Sequence, residues 1–203
     1  MYKKFFKRFL DIIISLNGIL FLGIPMLIIA IIIKIEDPGP ALFKQKRVGK
    51  NKEHFMLMKF RSMRMDTPHD TPTHLLENPE QYILKSGKFL RKSSLDELPQ
   101  LFNILAGDMS IIGPRPALWN QYDLIEERDK YHANDVLPGL TGWAQVNGRD
   151  ELEIPVKAKF DGEYVENLSF GFDLKCFFKT IGAVFKSEGV VEGGTGAMEK
   201  DKQ

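Results

Sequence analysis

The 203-residue chain has a single cysteine, Cys176, so no disulfide can form within it. One cysteine favours a reducing compartment, and we interpret this residue as packed on a helix. The sequence also lacks internal repeats, a G-x-G-x-x-G fingerprint and a Walker A sequence. A bound nucleotide would therefore be held in another way. His69 and His74 lack metal-ligand spacing to each other or to cysteine, which favours solvated histidines.

Ionisable side chains are missing from Ile12 to Ile33, a run of 22 residues interrupted by Gly23 and Pro25. As one straight helix the run would reach about 33 Å, enough for a hydrocarbon core of roughly 30 Å. Proline removes a helical donor and crowds an earlier carbonyl, so we expect the helix to kink or break at Pro25. The piece from Ile12 to Ile24, about 20 Å long, would be too short to span.

Cations flank this run on both sides. They are Lys3, Lys4, Lys7 and Arg8 before it, and Lys34, Lys44, Lys46 and Arg47 after it. The positive-inside rule favours both ends on the cytoplasmic side, which a helix-break-helix hairpin in one leaflet satisfies. The carbonyl freed at the break needs a partner, for which Ser15 and Asn17 are candidates. A kinked spanning anchor and a secretory signal peptide are the alternatives.

The rest of the chain suits one domain with a sizeable core. We predict a membrane segment over residues 1–36, a cytoplasmic domain over 37–186 and a disordered tail over 187–203. Within the domain, residues 41–43 are predicted to be extended, residues 55–60 to form a strand or a tightly packed apolar segment, and residues 66–80 to form a loop.

Positive charge is concentrated near the membrane segment, although the net charge is only +1. Eight lysines and arginines stand against Glu53 alone between residues 44 and 64. Such a patch suits anionic lipid headgroups or a phosphorylated substrate, and a solvated basic face is the alternative. Nucleic acid is not an expected partner.

The segment from Ser94 to Asn103 has two interpretations. In the first, Ser94 is an N-cap and Glu97 closes a capping box, with Pro99 in the first turn of a helix. In the second, Asp96 and Glu97 are catalytic, because one carboxylate can attack phosphorus while the other holds Mg²⁺. The helix N-terminus would then keep a nearby carboxylate ionised. Spacing alone leaves both open.

Two later segments favour the catalytic interpretation. Arg115 lies between Pro114 and Pro116, which fix its backbone, and a rigidly placed guanidinium is a good phosphate clamp. Residues 138–149 are glycine-rich with polar groups and one aromatic side chain, a composition that can line a nucleotide site or simply form turns.

Several motifs together resemble the bacterial sugar transferases, and within them the small monotopic phosphoglycosyl transferases. They occur in the family's order up to about residue 190: Lys7-Arg8-x-x-Asp11, Phe43-x-Gln45-x-Arg47-x-Gly49, Lys59 to Met63, Ser94 to Asn103, Gly107 to Pro116 and Pro138 to Arg149. One departure concerns the membrane break, where many members have Ser-Pro and this chain has Ile24 before Pro25.

The resemblance implies transfer of a phospho-sugar from a UDP-sugar to undecaprenyl (polyprenol) phosphate at the cytoplasmic face of the bacterial inner membrane, releasing UMP. It implies that Asp96 is the nucleophile of a covalent aspartyl phospho-sugar intermediate and that Glu97 is a Mg²⁺ ligand. It also implies that Lys59, Arg91 and Arg115 contact phosphate. Such an enzyme initiates a surface polysaccharide or glycoconjugate.

The candidate contacts to the nucleotide-sugar come from the glycine-rich segment: Thr141, Gln145, Asn147 and Arg149. The resemblance favours an N-acetylated sugar, with galactose or glucose as alternatives. The pathway and the oligomeric state, including a homodimer, stay open. The competing classes are a membrane-anchored scaffold, in which the carboxylates only cap a helix, and a metal-dependent hydrolase of nucleotide diphosphates.

The predicted fold is α/β and mostly helical. A re-entrant N-terminal membrane helix, broken at Pro25, joins a compact cytoplasmic catalytic domain with interfacial amphipathic helices. Near the C-terminus one such helix is predicted from apolar residues at helical spacing, and a core-facing helix is the alternative. These residues are Leu174, Phe177, Phe178, Ile181, Val184 and Phe185.

Overall fold

The structure, a computed structural model, describes residues 1–67, 79–148 and 152–186. The predicted tail, His69, His74 and most of the predicted 66–80 loop lie outside these residues. The described elements are helix α1 (Lys7–Glu36), strands β1 (Leu42–Val48) and β2 (His54–Phe60), helices α2 (Lys85–Ser93) and α3 (Gln100–Ala106), strand β3 (Ser110–Ile112), helix α4 (Tyr122–Asp129), strand β4 (Gly139–Thr141), and helices α5 (Ile154–Asn167) and α6 (Phe170–Lys186). The predicted mostly helical α/β class is confirmed.

Helix α1 continues through Pro25, so the predicted break into two separate helices is wrong, and a kink at this residue stays a prediction. A proline inside a helix costs about 3 kcal/mol, because one hydrogen bond is lost and an earlier carbonyl is crowded. Packing on both sides of the proline opposes this cost. Leu22 and Met26 both contact one apolar cluster, which also holds Phe60 and Leu84.

The polar residues of α1 do not serve the carbonyl that Pro25 leaves without a donor. Ser15 Oγ donates to the carbonyl of Ile12 at 3.1 Å, and Asn17 Nδ2 donates to that of Ile13 at 2.8 Å. Short polar side chains in a helix reach carbonyls three or four residues earlier. The carbonyl that Pro25 leaves without a donor is that of Phe21, which lies later in the chain than either residue. The prediction that these two residues stabilise a break is therefore wrong.

Charged side chains fix the first turns of α1 to the domain. Lys7 Nζ lies 2.7 Å from Asp173 Oδ2 on α6, and Asp11 accepts a 2.9 Å hydrogen bond from the backbone N–H of Ile111 in β3. Arg8 donates to two carbonyls at the end of α3, at 2.6 and 3.0 Å. A cation suits this position because the last carbonyls of a helix lack intrahelical donors. The Lys7-Arg8-x-x-Asp11 motif thus joins α1 to the domain.

The other end of α1 is held by the same domain. The Glu36 carboxylate accepts hydrogen bonds from the backbone N–H groups of Lys85 and Ser86, at 2.5 and 3.1 Å, and so caps α2. The next residue, Asp37, forms a salt bridge with Arg61, which is buried. Polar contacts therefore hold α1 at both ends.

Between its ends, α1 has one packed face and one exposed apolar face. Gly18 lies so close to α3 that a Cβ added there would approach Leu101 Cδ1 to 3.0 Å. The exposed face includes Leu20, Phe21 and Ile24, which are 74–75% exposed. By length and composition, the helical segment Tyr2–Glu36 could cross a membrane. A continuous exposed apolar surface of this kind is compatible with membrane anchoring.

The strands form two small sheets. Strands β1 and β2 form an antiparallel hairpin, which confirms the predicted strands and extends the first to Val48, while β3 and β4 pair in parallel. Asn103 of α3 continues the hairpin's hydrogen bonding, because its Oδ1 accepts from Met58 N and its Nδ2 donates to Met56 O, both at 2.9 Å. The amide therefore attaches α3 to β2 and satisfies buried backbone groups.

The main apolar cluster lies where α3, β3, α5 and α6 meet. Its buried members are Leu57, Leu101, Ile104, Met109, Ile111, Ile112, Tyr164, Leu168 and Cys176. Cys176 has no exposed surface and lies on α6, which confirms the interpretation of this residue as packed on a helix.

Candidate active site

The two adjacent carboxylates lie in a turn between α2 and α3. Ser94 adopts a left-handed conformation (φ 57°, ψ 18°) that ends α2 and precedes a 3₁₀ turn over Leu95–Glu97. Its side chain does not cap this turn, and Glu97 pairs with Arg115, so the predicted capping box is wrong. Helix α3 begins only after Pro99, which lacks a backbone donor and suits the residue before a helix.

Asp96 is buried, with 8% of its surface exposed. Burial raises the pKa of Asp96, the adjacent Glu97 raises it further, and the charges of Lys59, Arg115 and Arg91 oppose this rise. We expected a helix N-terminus to favour the ionised carboxylate. The structure does not show this lowering of the pKa, because α3 begins only at Gln100 and the net effect of the surroundings raises the pKa of Asp96.

Glu97 and Arg115 form an ion pair beside Asp96. Arg115 Nη2 donates to Glu97 Oε1 at 2.5 Å, and the two side chains are 35% and 16% exposed, respectively. The guanidinium also lowers the pKa of Asp96 by its positive charge, so it acts on both carboxylates. Arg115 thus joins the loop after β3 to the carboxylate turn.

Two further cations reach this turn from other elements. Lys59 belongs to β2 and Arg91 to α2, and both lower the pKa of Asp96 electrostatically. Arg91 Nε donates to Ser62 Oγ at 2.9 Å, and Lys59 Nζ lies 5.5 Å from the centroid of the Phe43 ring. All five charged residues expected at the site therefore lie in one cluster.

The environment of Lys59 is unusual for a lysine. Burial lowers the pKa of Lys59 to about 8, the charges of Arg47 and Arg91 contribute to the lowering, and Asp96 and Glu97 oppose it. The lysine therefore loses its charge at lower pH than an exposed lysine does.

Arg47 contributes charge to this cluster, although it was not among the predicted site residues. Its Nη2 donates to Gln45 Oε1 at 2.7 Å and its Nη1 to the carbonyl of Pro116 at 3.0 Å, which connects the hairpin to the loop of Arg115. Strand alternation could have indicated this position of Arg47, because Phe43, Gln45 and Arg47 share one face of β1.

A cavity of about 330 Å³ lies beside the carboxylate turn. This volume suits a small-molecule site, and most of the lining side chains are apolar. The lining residues are Ser94, Glu97, Leu98, Ile111, Arg115, Leu140, Thr141, Gln145, Val146, Phe177, Thr180, Ile181 and Ala183. The ion pair of Glu97 and Arg115 thus supplies the charged part of a largely apolar cavity.

The four candidate nucleotide-sugar residues have different positions. Thr141 and Gln145 line the cavity, and Thr141 Oγ1 lies 2.8 Å from Thr180 Oγ1. Asn147 has other contacts, because its Nδ2 donates to the carbonyl of Trp143 and its Oδ1 accepts from Lys179. Arg149 lies outside the described residues.

Glycine allows the segment after β4 to approach the loop of Arg115. A Cβ at Gly142 would lie 2.0 Å from the carbonyl oxygen of Gly113, so no side chain fits there. The glycines that suggested a nucleotide loop therefore serve close backbone packing. This packing places Gln145 and Arg115 around the same cavity.

Helix α6 contributes cavity residues that sequence reasoning did not assign to the site. Phe177, Thr180 and Ile181 line the cavity, whereas Leu174 and Phe178 are 42% and 62% exposed. The residues of the predicted apolar face therefore divide between the cavity lining and the exposed surface. Helical spacing identified the helix but not which of its neighbours each residue contacts.

The donor atoms of the site suit Mg²⁺. Within the described ranges, no three carboxylate, histidine or cysteine side chains cluster as a complete metal cage. Asp96 and Glu97 offer oxygen donors, and Mg²⁺ commonly takes one or two protein carboxylates together with substrate phosphates and water. The residues therefore fit an ion that binds together with a diphosphate.

Sequence comparisons place this site in a known context. The sequence model of the bacterial sugar transferase family matches residues 2–187. The chain is 38% identical over 184 residues to the uncharacterized sugar transferase EpsL of Bacillus subtilis, covering 91% of this chain and 89% of that protein.

Other relatives have names that state an activity. The UDP-glucose:undecaprenyl-phosphate glucose-1-phosphate transferase of Escherichia coli is 40% identical over 88% of this chain. The UDP-N-acetylgalactosamine-undecaprenyl-phosphate N-acetylgalactosaminephosphotransferase of Aeromonas hydrophila is 36% identical over 91%. The chain spans only 40% and 45% of these two proteins, respectively. Because the family match covers nearly all described residues, the chain belongs to the bacterial sugar transferase family.

Proposed function

We propose that this chain transfers a phospho-sugar from a UDP-sugar to undecaprenyl phosphate and releases UMP. The observation that carries the proposal is a buried Asp96 next to Glu97, surrounded by Lys59, Arg91 and Arg115. Relatives named as undecaprenyl-phosphate sugar-phosphate transferases support this reaction class.

The proposed reaction has two displacements at one phosphorus atom. In the first, a carboxylate oxygen of Asp96 bonds to the sugar-bearing phosphorus, and the bond to the bridging oxygen breaks, so UMP leaves with that oxygen and its electron pair. In the second, a phosphate oxygen of undecaprenyl phosphate attacks the same phosphorus and the aspartyl–phosphorus bond breaks. This restores the carboxylate, and no redox partner is needed.

The cations of the site reduce the repulsion between the nucleophile and its substrate. A carboxylate and a diphosphate are both anionic, so their approach is unfavourable unless positive charge lies close. Lys59, Arg91 and Arg115 provide that charge from three different elements, and Arg115 also orients Glu97. Mg²⁺ held by Glu97 and the diphosphate would supply further charge neutralisation.

The position of α1 supports entry into one leaflet with both ends at the same membrane surface, which we propose to be the cytoplasmic one. Lys7 and Arg8 at its start, and Glu36 and Asp37 at its end, all bind polar groups of the same domain. A spanning helix has its ends on opposite membrane surfaces, which would pull this polar domain into the hydrocarbon core. An anchored domain would hold the site at headgroup height, where the lipid phosphate arrives.

The relatives differ in the sugar that their names state. The relatives' names include N-acetylgalactosamine, glucose and galactose, and one relative is an exopolysaccharide production protein. We retain an N-acetylated sugar as the prediction, with surface polysaccharide synthesis as the process that begins with this step.

The proposal is tested by UMP release from a panel of UDP-sugars with Mg²⁺, with and without undecaprenyl phosphate. Asp96→Asn keeps the size of the side chain but removes the nucleophile, so sustained release should fall by at least about 10³-fold. Asp135→Asn, at an exposed aspartate outside the site, is the matched control and should retain activity. Full lipid-dependent turnover in a folded Asp96→Asn protein would reject the nucleophile, and lipid-independent sustained turnover would identify a hydrolase.

The pH profile should reflect the two perturbed groups. Activity needs ionised Asp96, so kcat/KM should rise with pH through a pKa above the ordinary aspartate value. It also needs protonated Lys59, so kcat/KM should fall as the pH exceeds about 8. Lys59→Arg should leave the acid limb in place and move the basic limb upward by more than about one pH unit, because a guanidinium stays charged. An unmoved basic limb would show that another group titrates there.

Membrane topology can be tested with single introduced cysteines at the exposed positions Lys4 and Lys50. Burial raises the pKa of Cys176 to about 12, so the native thiol should react slowly with maleimide. An impermeant maleimide should label Lys4→Cys and Lys50→Cys in inside-out vesicles and neither in intact spheroplasts. Labelling of Lys4→Cys alone in spheroplasts would show a spanning helix.

A further inference from the structure

Gln145 presents a buried amide without a partner in the cavity wall. The residue is 9% exposed, and neither Oε1 nor Nε2 has a hydrogen-bond partner among residues 1–67, 79–148 and 152–186. A buried polar group without a partner costs about 1–3 kcal/mol, and such groups in native proteins call for an explanation. The neighbouring Thr141 differs, because its hydroxyl contacts Thr180.

We infer that Gln145 binds the uracil ring of the uridine nucleotide, so that this cavity is the base subsite. The inference rests on the proposed function, in which the donor is a UDP-sugar. Both polar atoms are buried, and they belong to a residue that lines the cavity, so contact with a ring requires the Gln145 side chain to turn toward the cavity. A bound ring would then satisfy an amide that is otherwise unsatisfied.

The geometry of a primary amide favours uracil over the other parts of the substrates. The Gln145 oxygen and one of its N–H groups lie side by side, so two parallel hydrogen bonds need a partner with an adjacent donor and acceptor. Uracil has this arrangement, because its N3–H lies between two carbonyls. A sugar acetamido group is trans, with its N–H and C=O pointing in opposite directions, and can use only one atom of the amide at a time.

The rest of the cavity suits a flat ring attached to phosphates. Leu140, Val146 and Ile181 give apolar walls for the ring faces, and Arg115 gives a cation for the diphosphate. An isoprenoid chain would also fit apolar walls, but it has no polar atom for the amide. The names of the Escherichia coli and Aeromonas hydrophila relatives both contain UDP and differ in the sugar, which agrees with a base subsite separate from the sugar site.

The test is calorimetric binding of UMP and N3-methyl-UMP to the full chain in nanodiscs, because methylation replaces the N3–H donor by a methyl group and leaves both carbonyls in place. The wild type should bind N3-methyl-UMP at least about tenfold more weakly than UMP. Gln145→Leu, of similar volume, should bind UMP at least about tenfold more weakly than the wild type and no longer distinguish the two nucleotides. Gln121→Leu is the matched control, since Gln121 lies outside the cavity and makes no side-chain capping bond.

A second variant covers the case in which Gln145→Leu fails to fold. Gln145→Glu keeps the size and the acceptor but loses the donor, so it should bind UMP more weakly and still prefer UMP to N3-methyl-UMP. Equal binding of the two nucleotides by the wild type would overturn the inference. So would a preference for UMP that survives in folded Gln145→Leu.

Two further arms separate this inference from its alternatives. Binding of UDP-N-acetylgalactosamine and UDP-galactose tests whether Gln145 contacts the sugar instead. If Gln145→Leu changes only the ratio of these two affinities, the amide contacts the acetamido group and the uracil contact is overturned. The binding assay needs neither lipid nor turnover. If the protein binds UMP selectively but shows no lipid-dependent UMP release, the transferase is rejected and the uracil contact is retained. If the wild type turns over substrate but does not bind UMP, only the uracil contact is rejected.

Discussion

Asp96 and Glu97 are neighbouring carboxylates in one turn, in which Asp96 is buried, and two such charges destabilise each other unless cations lie close. The rest of the site is arranged around this requirement. A lysine from β2, an arginine from α2 and an arginine from the loop after β3 meet at the turn. The charges that stabilise the carboxylates in the free protein are also those that a diphosphate needs. Electrostatic balance therefore connects the stability of the turn with its proposed chemistry.

In the proposed function, helix α1 sets where this turn lies relative to a membrane. One of its faces packs along the domain, its ends are held by polar contacts, and the opposite face exposes large apolar side chains. Because the same helix packs against α3, which follows the carboxylate turn, the anchor and the site belong to one packed unit. This suits a reaction between a soluble nucleotide-sugar and a lipid phosphate confined to the membrane surface.

The sequence identified what depends on composition, local pattern and motif order. It predicted the apolar helix, the hairpin strands and the five charged residues that the fold brings into one cluster. It failed at Pro25, because local propensity says nothing of the tertiary packing that keeps the helix continuous. It also failed at Ser94, where a capping box and a left-handed turn can have the same residues.

Contacts between distant segments could not be predicted from local patterns. The role of α6 in the cavity depends on how it packs against β4 and the segment after it, which helical spacing does not encode. Likewise, the shift in the pKa of Lys59 results from burial and from charges on other elements. The glycines near Gly142 were visible in the sequence, but their reason, contact with the backbone of Gly113, required the fold.

The central claim is a covalent intermediate on Asp96, and isotope exchange tests it most directly. The purified chain would be incubated with its UDP-sugar, Mg²⁺ and labelled UMP in the absence of any polyprenyl phosphate. A two-step reaction predicts that label enters the UDP-sugar, because the first displacement is reversible without the acceptor, and that Asp96→Asn abolishes this exchange. Lipid-dependent transfer by the same preparation, with no exchange until the lipid is added, would contradict the account and indicate direct transfer between the two substrates.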